Sequence, residues 1–184
     1  MLKKSAVVLL GLVFILMLGS YPVVADSYSF GLIPADGKVA GPPGSTVGWG
    51  YSITNESNQY WLVTVALNAG SFLNGTPNAI FDFPILAPGN NATEIFDPNA
   101  PSGLYELTWD ATAPSGFINS GLFTLSAEWW SGDPLNGGVF VMDAPDTYAF
   151  YSAEVGSPVS EPSSLALLPV GLGGLLALRR KLRV

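Results

Sequence analysis

Apolar and polar residues alternate with a period of two in several short runs of this chain, and clusters of glycine and proline separate the runs. The clearest alternation covers residues 47–53, 105–109 and 123–129, where large apolar or aromatic residues occupy nearly every second position. A two-residue period places successive side chains on opposite faces of an extended strand. These runs therefore predict half-buried β-strands.

Other segments complete the predicted fold. Residues 60–67 are apolar at both alternating sets of positions, which favours a central strand covered on both sides. Weaker strand patterns cover residues 28–33, 79–83, 138–142 and 148–155. Turns rich in Pro, Gly, Asn and Asp leave little room for helices between them. The sequence predicts an all-β fold, a single antiparallel β-sandwich of seven or eight strands over residues 26–156. Residues 43–55, with Ala-Pro-Gly at 87–89, resemble immunoglobulin-like domains, and this resemblance implies an immunoglobulin-like sandwich.

The first 25 residues have the three parts of an export signal. Two lysines near the start precede an apolar stretch over residues 6–18, and small residues end the segment at Ala25. Thirteen apolar residues are fewer than the roughly 20 that a membrane-spanning helix needs. We therefore expect a signal-peptide helix over residues 1–25, with cleavage between Ala25 and Asp26.

Residues 157–184 form the third predicted segment. A linker leads to Glu161, Pro162 and Ser163, and an uncharged apolar run covers residues 165–178. A surface helix would show a polar face, which this run lacks, so a transmembrane helix is favoured over a docked one. A basic stop follows, formed by Arg179, Arg180, Lys181 and Arg183. Basic residues stay on the cytoplasmic side, which leaves the sandwich across the membrane.

This order of a Glu-Pro motif, a Leu/Gly-rich helix and a basic end resembles the tail of the PEP-CTERM family of exported bacterial proteins. Ser160 stands where the family's first proline is usual. The resemblance implies recognition and cleavage of the tail by an exosortase-type membrane peptidase. It also implies transient anchoring in the inner membrane, a final place at the cell surface or outside the cell, and an association with exopolysaccharide and biofilm.

Charge is unevenly distributed. Lys38 is the single basic residue between the two terminal segments, whereas all fourteen acidic residues lie between Asp26 and Glu161. Binding to nucleic acid needs basic side chains that displace counterions from phosphates, so nucleic acid is not expected as a partner.

Residue types that most enzymes need are missing. The chain contains neither histidine nor cysteine, which excludes Ser-His-Asp triads, cysteine nucleophiles and nearly all zinc sites. A paired-carboxylate glycosidase stays open, with Glu106, Asp110 and Glu128 as candidates. These side chains occupy polar strand positions, where solvated carboxylates are ordinary. We expect no enzymatic activity, no catalytic residues and no metal site.

Loop oxygens leave calcium as an open alternative. Asp97 with Asn99, Asp133 with Asn136, and Asp143 with Asp146 place carboxylates and amides in turns. Turn formation explains the same residues without an ion. We therefore expect no cofactor.

Five tryptophans raise a second functional hypothesis, a carbohydrate-binding module. Trp49, Trp61 and Trp109 lie on apolar strand faces and are expected in the core. Trp129 and Trp130 are neighbours and must face opposite sides of a strand. An exposed Trp130 beside Tyr60 or Tyr151 would form a platform for sugars. The leading hypothesis is a non-enzymatic surface or matrix protein.

Overall fold

The structure is a computed structural model that describes residues 26–156. The predicted signal peptide over residues 1–25 lies outside the described residues, as does the predicted sorting segment over residues 157–184. The candidate cleavage residue Ala25, the Glu161-Pro162-Ser163 motif and the basic stop are therefore also outside.

The described residues form eleven strands and one short 3₁₀ helix, Pro134–Asn136. The all-β prediction is confirmed. The strands are β1 (Tyr28–Ile33), β2 (Lys38–Gly41), β3 (Thr46–Asn55), β4 (Trp61–Asn68), β5 (Gly75–Ala79), β6 (Ile85–Leu86), β7 (Asn91–Glu94), β8 (Tyr105–Trp109), β9 (Ile118–Trp130), β10 (Phe140–Asp143) and β11 (Thr147–Val155).

The strands form two sheets. The first sheet has the order β1-β3-β8-β5, with β7 also paired to β3. The second sheet has the order β2-β11-β9-β4-β6, with β10 also paired to β9. Neighbouring strands run antiparallel except β2 and β11, which are parallel. This arrangement is a β-sandwich-like fold.

Aromatic rings from both sheets fill the core. The ring of Trp49 on β3 lies 5.3 Å from those of Phe123 on β9 and Tyr151 on β11, measured between centroids. Phe72, from the loop after β4, stacks on Tyr151 at 5.0 Å. The indole Nε1 of Trp49 donates a hydrogen bond to the carbonyl oxygen of Gly37 at 2.8 Å. Because the chain has no cysteine, its fold is stabilised by this buried apolar packing and not by disulfides.

Several strand predictions agree closely with the structure. Strand β1 has the predicted bounds, and β3, β8 and β9 contain the alternating runs. Strand β11 contains the weaker pattern over residues 148–155, and β10 overlaps the one over residues 138–142. Strands β2, β6 and β7, of two to four residues each, were not predicted, and four of the five residues of β5 also lie outside the predicted strands. Such short segments show too little periodicity to be recognised.

Two strand predictions are wrong in detail. Of the predicted strand over residues 79–83, only Ala79 belongs to a strand. Phe81 lies in an irregular segment, and its ring packs against that of Tyr51 with centroids 5.0 Å apart. Strand β4 is not covered on both sides: Leu62 and Thr64 are buried, whereas Val65 is 43% exposed. Trp61 is only half-buried and lies outside the core, because it faces away from the first sheet.

The outer face of the first sheet is partly covered by its own chain. A Cβ atom at Gly50 would collide with the carbonyl oxygen of Glu94, and one at Gly48 would collide with the ring of Phe96. The segment after β7 therefore passes directly over β3, and only glycine leaves room for it. This cover distinguishes the first sheet from the second.

Candidate functional site: the outer face of the second sheet

Strand β9 divides its side chains between two environments. Trp129 is 1% exposed and points into the core, where its ring meets Tyr28 edge-to-face at 6.1 Å. Trp130 is the next residue, so it points to the outer face and is half-buried. The prediction that the two tryptophans face opposite sides is confirmed.

Register places two more aromatic residues beside Trp130. Trp61 of β4 and Phe140 of β10 are its cross-strand partners on either side. The rings of Trp130 and Phe140 are edge-to-face, with centroids 6.3 Å apart. Phe140 is 46% exposed. We call Trp61, Trp130 and Phe140 the aromatic row. Neither Tyr60 nor Tyr151, the neighbours expected from sequence, belongs to it: Tyr151 is buried on the inner face.

A second row of residues follows the first on the same face. Glu128 lies two residues before Trp130, and its Oε2 accepts a hydrogen bond from the indole Nε1 at 2.9 Å. Its cross-strand partners are Val63 on β4 and Asp143 on β10. Glu128 and Asp143 are called the carboxylate pair. The indole N–H is thus used within the protein, and what remains of Trp130 for a ligand is its ring.

The other end of the same face carries a second exposed apolar group. Phe150 of β11 is 79% exposed and pairs with Leu122 of β9, and Tyr148 is 57% exposed. Thr124, Ser126 and Asn68 lie between this group and the aromatic row. Eight residues separate Leu122 from Trp130 along β9, roughly 27 Å at strand spacing. The face is long enough for an extended polymer.

The carboxylates proposed for glycosidase chemistry are not all brought together. Glu106 lies on β8 of the first sheet, where it accepts a hydrogen bond from Asn78 at 2.8 Å. Asp110 follows the same strand, whereas Glu128 lies on the second sheet. The carboxylate in register with Glu128 is that of Asp143, one of the calcium candidates.

Two of the three calcium candidates, Asp133 with Asn136 and Asp97 with Asn99, are engaged in their own turns. The Asp133 carboxylate accepts hydrogen bonds from the Leu135 amide at 2.9 Å and from the Asn136 side chain at 2.6 Å. Asp97 accepts one from the Asn99 amide at 2.8 Å. Over residues 26–156, no group of three or more His, Cys, Asp or Glu side chains is arranged to hold a metal ion.

A small depression lies at the edge of the molecule beside β1. It has a volume of about 90 Å³ and is lined by Asp26, Ser27, Tyr28, Pro145 and Thr147. Ligand pockets usually have 300–1,000 Å³, so this depression is too small for a sugar residue held on all sides. The open face of the second sheet is the better candidate.

Comparisons with protein-family models, with curated proteins and with solved structures found no match. Within the described range, none of the helical segments is long and apolar enough to cross a membrane.

Proposed function

We propose that this chain is a non-enzymatic, exported surface or extracellular-matrix protein whose β-sandwich binds polysaccharide on the outer face of the second sheet. The aromatic row is the observation that carries the proposal. It brings carbohydrate binding, the second hypothesis from sequence, together with the leading one, because a matrix protein needs an attachment to the matrix.

The row has the chemistry that sugar binding requires. The C–H groups on one face of a sugar ring pack against the flat, electron-rich face of an aromatic ring. Three aromatic side chains on adjacent strands provide a broad surface of this kind, at Trp61, Trp130 and Phe140. Large apolar side chains grouped on an accessible surface commonly mark an interaction site.

The positions of the polar groups agree with a role in binding a chain rather than a single sugar. Beyond the row, the hydroxyl groups of Thr124 and Ser126 and the amide of Asn68 follow along the same face. These groups can exchange hydrogen bonds with sugar hydroxyls. Open faces of this kind accept long polymers, whereas closed pockets accept small molecules.

Polysaccharide binding is tested with the protein as it is recovered from its native host, by isothermal titration calorimetry against that host's extracellular polysaccharide. We expect Trp130→Ala to weaken binding about tenfold, since aromatic contacts contribute on the order of 1 kcal/mol each. Trp61→Ala should act in the same direction. Ile95→Ala, at a 68% exposed apolar side chain away from the second sheet, is the matched control.

The result that contradicts the binding proposal is equal affinity for all four proteins, or no binding by any of them. Shortening of the polymer during the titration would contradict the non-enzymatic part. Size-exclusion chromatography of the recovered polysaccharide measures its length.

Export and sorting are tested by mass spectrometry of both termini, on protein recovered from the surface and medium of the host. The proposal expects a start at Asp26 and an end near Glu161. The tail resemblance, the apolar run and the basic stop support this expectation. Retention of residues 165–184 would mean permanent anchoring and would contradict cleavage by an exosortase-type peptidase.

A further inference from the structure

The carboxylate pair has an arrangement that packing does not explain. Glu128 and Asp143 are directly opposed across β9 and β10, on the face that carries the aromatic row. Like charges directly opposite one another destabilise a sheet. The partner of Glu128 on its other side is Val63, which brings no counter-charge.

The basic side chain within residues 26–156 lies away from the carboxylate pair. Lys38 is the single basic residue in the described part of the chain, and it lies on β2, in register with Ser152 of β11. Strand β11 separates β2 from β9 in the second sheet. The carboxylate pair is thus not neutralised by Lys38, and its charge remains available to a ligand.

We propose that the polysaccharide bound on this face carries protonated amino groups, as a partly deacetylated amino-sugar polymer does. The inference rests on the proposed function and names the ligand class. A sugar ring stacked on the aromatic row would bring its ammonium group to the adjacent carboxylates. Aromatic faces also attract cations directly, so the rings and the carboxylates favour the same ligand.

The net negative charge of the whole domain also favours a positively charged polymer. Thirteen acidic residues and one basic residue lie within residues 26–156. A surface of one sign attracts polymers of the opposite sign and repels those of the same sign, and salt screens both effects. A uronic-acid polymer is therefore disfavoured on this face, whereas a neutral polymer is tolerated.

The test compares three probes on the same host-derived protein: fully acetylated N-acetylglucosamine oligomers, the same oligomers after partial deacetylation, and a polyuronate. Calorimetry at low salt should give about tenfold tighter binding of the deacetylated oligomer than of the acetylated one. The polyuronate should show no binding. The preference for the deacetylated oligomer should shrink as salt is added.

Two double variants separate the specific site from general acidity. Glu128→Gln/Asp143→Asn should remove most of the preference, while its side-chain oxygens can still accept the indole hydrogen bond. Glu106→Gln/Asp110→Asn removes the same charge from the first sheet and should keep the preference. Circular dichroism checks that both variants fold, and single Glu128→Gln serves if the double variant does not.

Each outcome has a distinct meaning. Equal binding of both oligomers, weakened by Trp130→Ala, overturns this inference and leaves the proposed function standing. An equal loss of preference in both double variants also overturns it, because general acidity would then suffice. Tighter binding of the polyuronate overturns it as well. If no tested probe and no host polysaccharide binds, the proposed function itself fails.

Discussion

The two faces of the second sheet place similar residues in different environments. On β9, Phe123, Leu125 and Trp129 are at most 1% exposed and pack against the first sheet. The alternate positions of the same strand carry Leu122, Thr124, Ser126, Glu128 and Trp130, which face away from the core. Composition alone does not separate the two sets, since each contains leucine and tryptophan. Whether an aromatic residue stabilises the fold or binds a ligand is decided by what lies opposite it.

The tryptophan pair gives the sharpest test of this contrast. Trp129→Ala should lower the free energy of unfolding by about 3–5 kcal/mol, because it removes a large buried side chain and leaves a cavity. Trp130→Ala should lower it by about 1 kcal/mol or less, as expected for surface substitutions. Urea unfolding followed by circular dichroism measures both. Similar losses would mean that the outer tryptophan is structural, and the contrast would fail.

Removing a buried polar side chain should also cost more stability than removing an exposed one, although the difference is smaller than for the tryptophans. Asn55 is fully buried at the end of β3, and its side-chain amide donates hydrogen bonds to the carbonyl oxygens of Tyr60, Leu86 and Ala87 at 2.9–3.1 Å. Asn55→Ala removes these three bonds and the one that the Ser57 amide donates to the Asn55 side chain, although the Ala87 carbonyl keeps its bond from the Asn90 amide. It should cost about 2–3 kcal/mol.

The control for this prediction is Asn78→Ala, which removes an exposed amide that bonds to Glu106. Its cost should be under about 0.5 kcal/mol. Thermal unfolding of the two variants side by side gives the difference. A larger cost for the exposed amide would contradict the prediction that the buried Asn55 amide contributes more to stability than the exposed Asn78 amide.

Alkaline pH should lower the folding stability through the buried tyrosines of the inner faces. Burial raises the pKa of the inward-facing tyrosines above 10, and the Asp82 carboxylate raises that of Tyr51 further. The unfolded chain releases these protons near pH 10, whereas the folded chain retains them. The contribution of these tyrosines to the free energy of unfolding is therefore fully present below about pH 10, and it is lost as the pH rises above that value. The tyrosines concerned are Tyr28, Tyr51, Tyr105 and Tyr151.

Melting temperatures between pH 8 and pH 11, with phenolate absorbance recorded in parallel, check this prediction. We expect the buried phenols to ionise only as the protein unfolds. Their ionisation in the folded state, with an unchanged melting temperature, would contradict it.

The smallest expected effect comes from a single hydroxyl group. Among the described residues, the buried Tyr151 hydroxyl has no hydrogen-bond partner. Tyr151→Phe removes this unsatisfied group and should leave stability unchanged or raise it by up to about 1 kcal/mol. Tyr51→Phe is the matched opposite, because the Tyr51 hydroxyl donates to Asp82 at 2.5 Å.

Tyr51→Phe should therefore lower the free energy of unfolding by about 1.5–3 kcal/mol, the usual range for a bond to a charged acceptor. Urea unfolding distinguishes the two variants. A loss of stability in Tyr151→Phe would show that its hydroxyl group has a partner, such as a buried water molecule.

Part of the site could be predicted from sequence and part could not. Adjacent residues on a strand must face opposite sides, so the outward position of either Trp129 or Trp130 followed from their order alone. Trp61 was assigned to the core because its neighbours are apolar, and this was wrong. Strand β4 is apolar on both faces, and only the core-facing residues Leu62 and Thr64 are fully buried. Periodicity cannot identify the core-facing side when both sides are apolar.

Sequence by itself determined the class of fold: period-two alternation specifies strands, glycine and proline specify turns, and both are local properties of the chain. It also determined that the domain is acidic and lacks histidine and cysteine. Only the tertiary structure decided that Trp61, Trp130 and Phe140 form one row, and that Glu128 opposes Asp143. The physical reason is register: the pairing of strands that are distant in sequence depends on how the whole core packs, and a shift by one residue would turn these side chains to the other face.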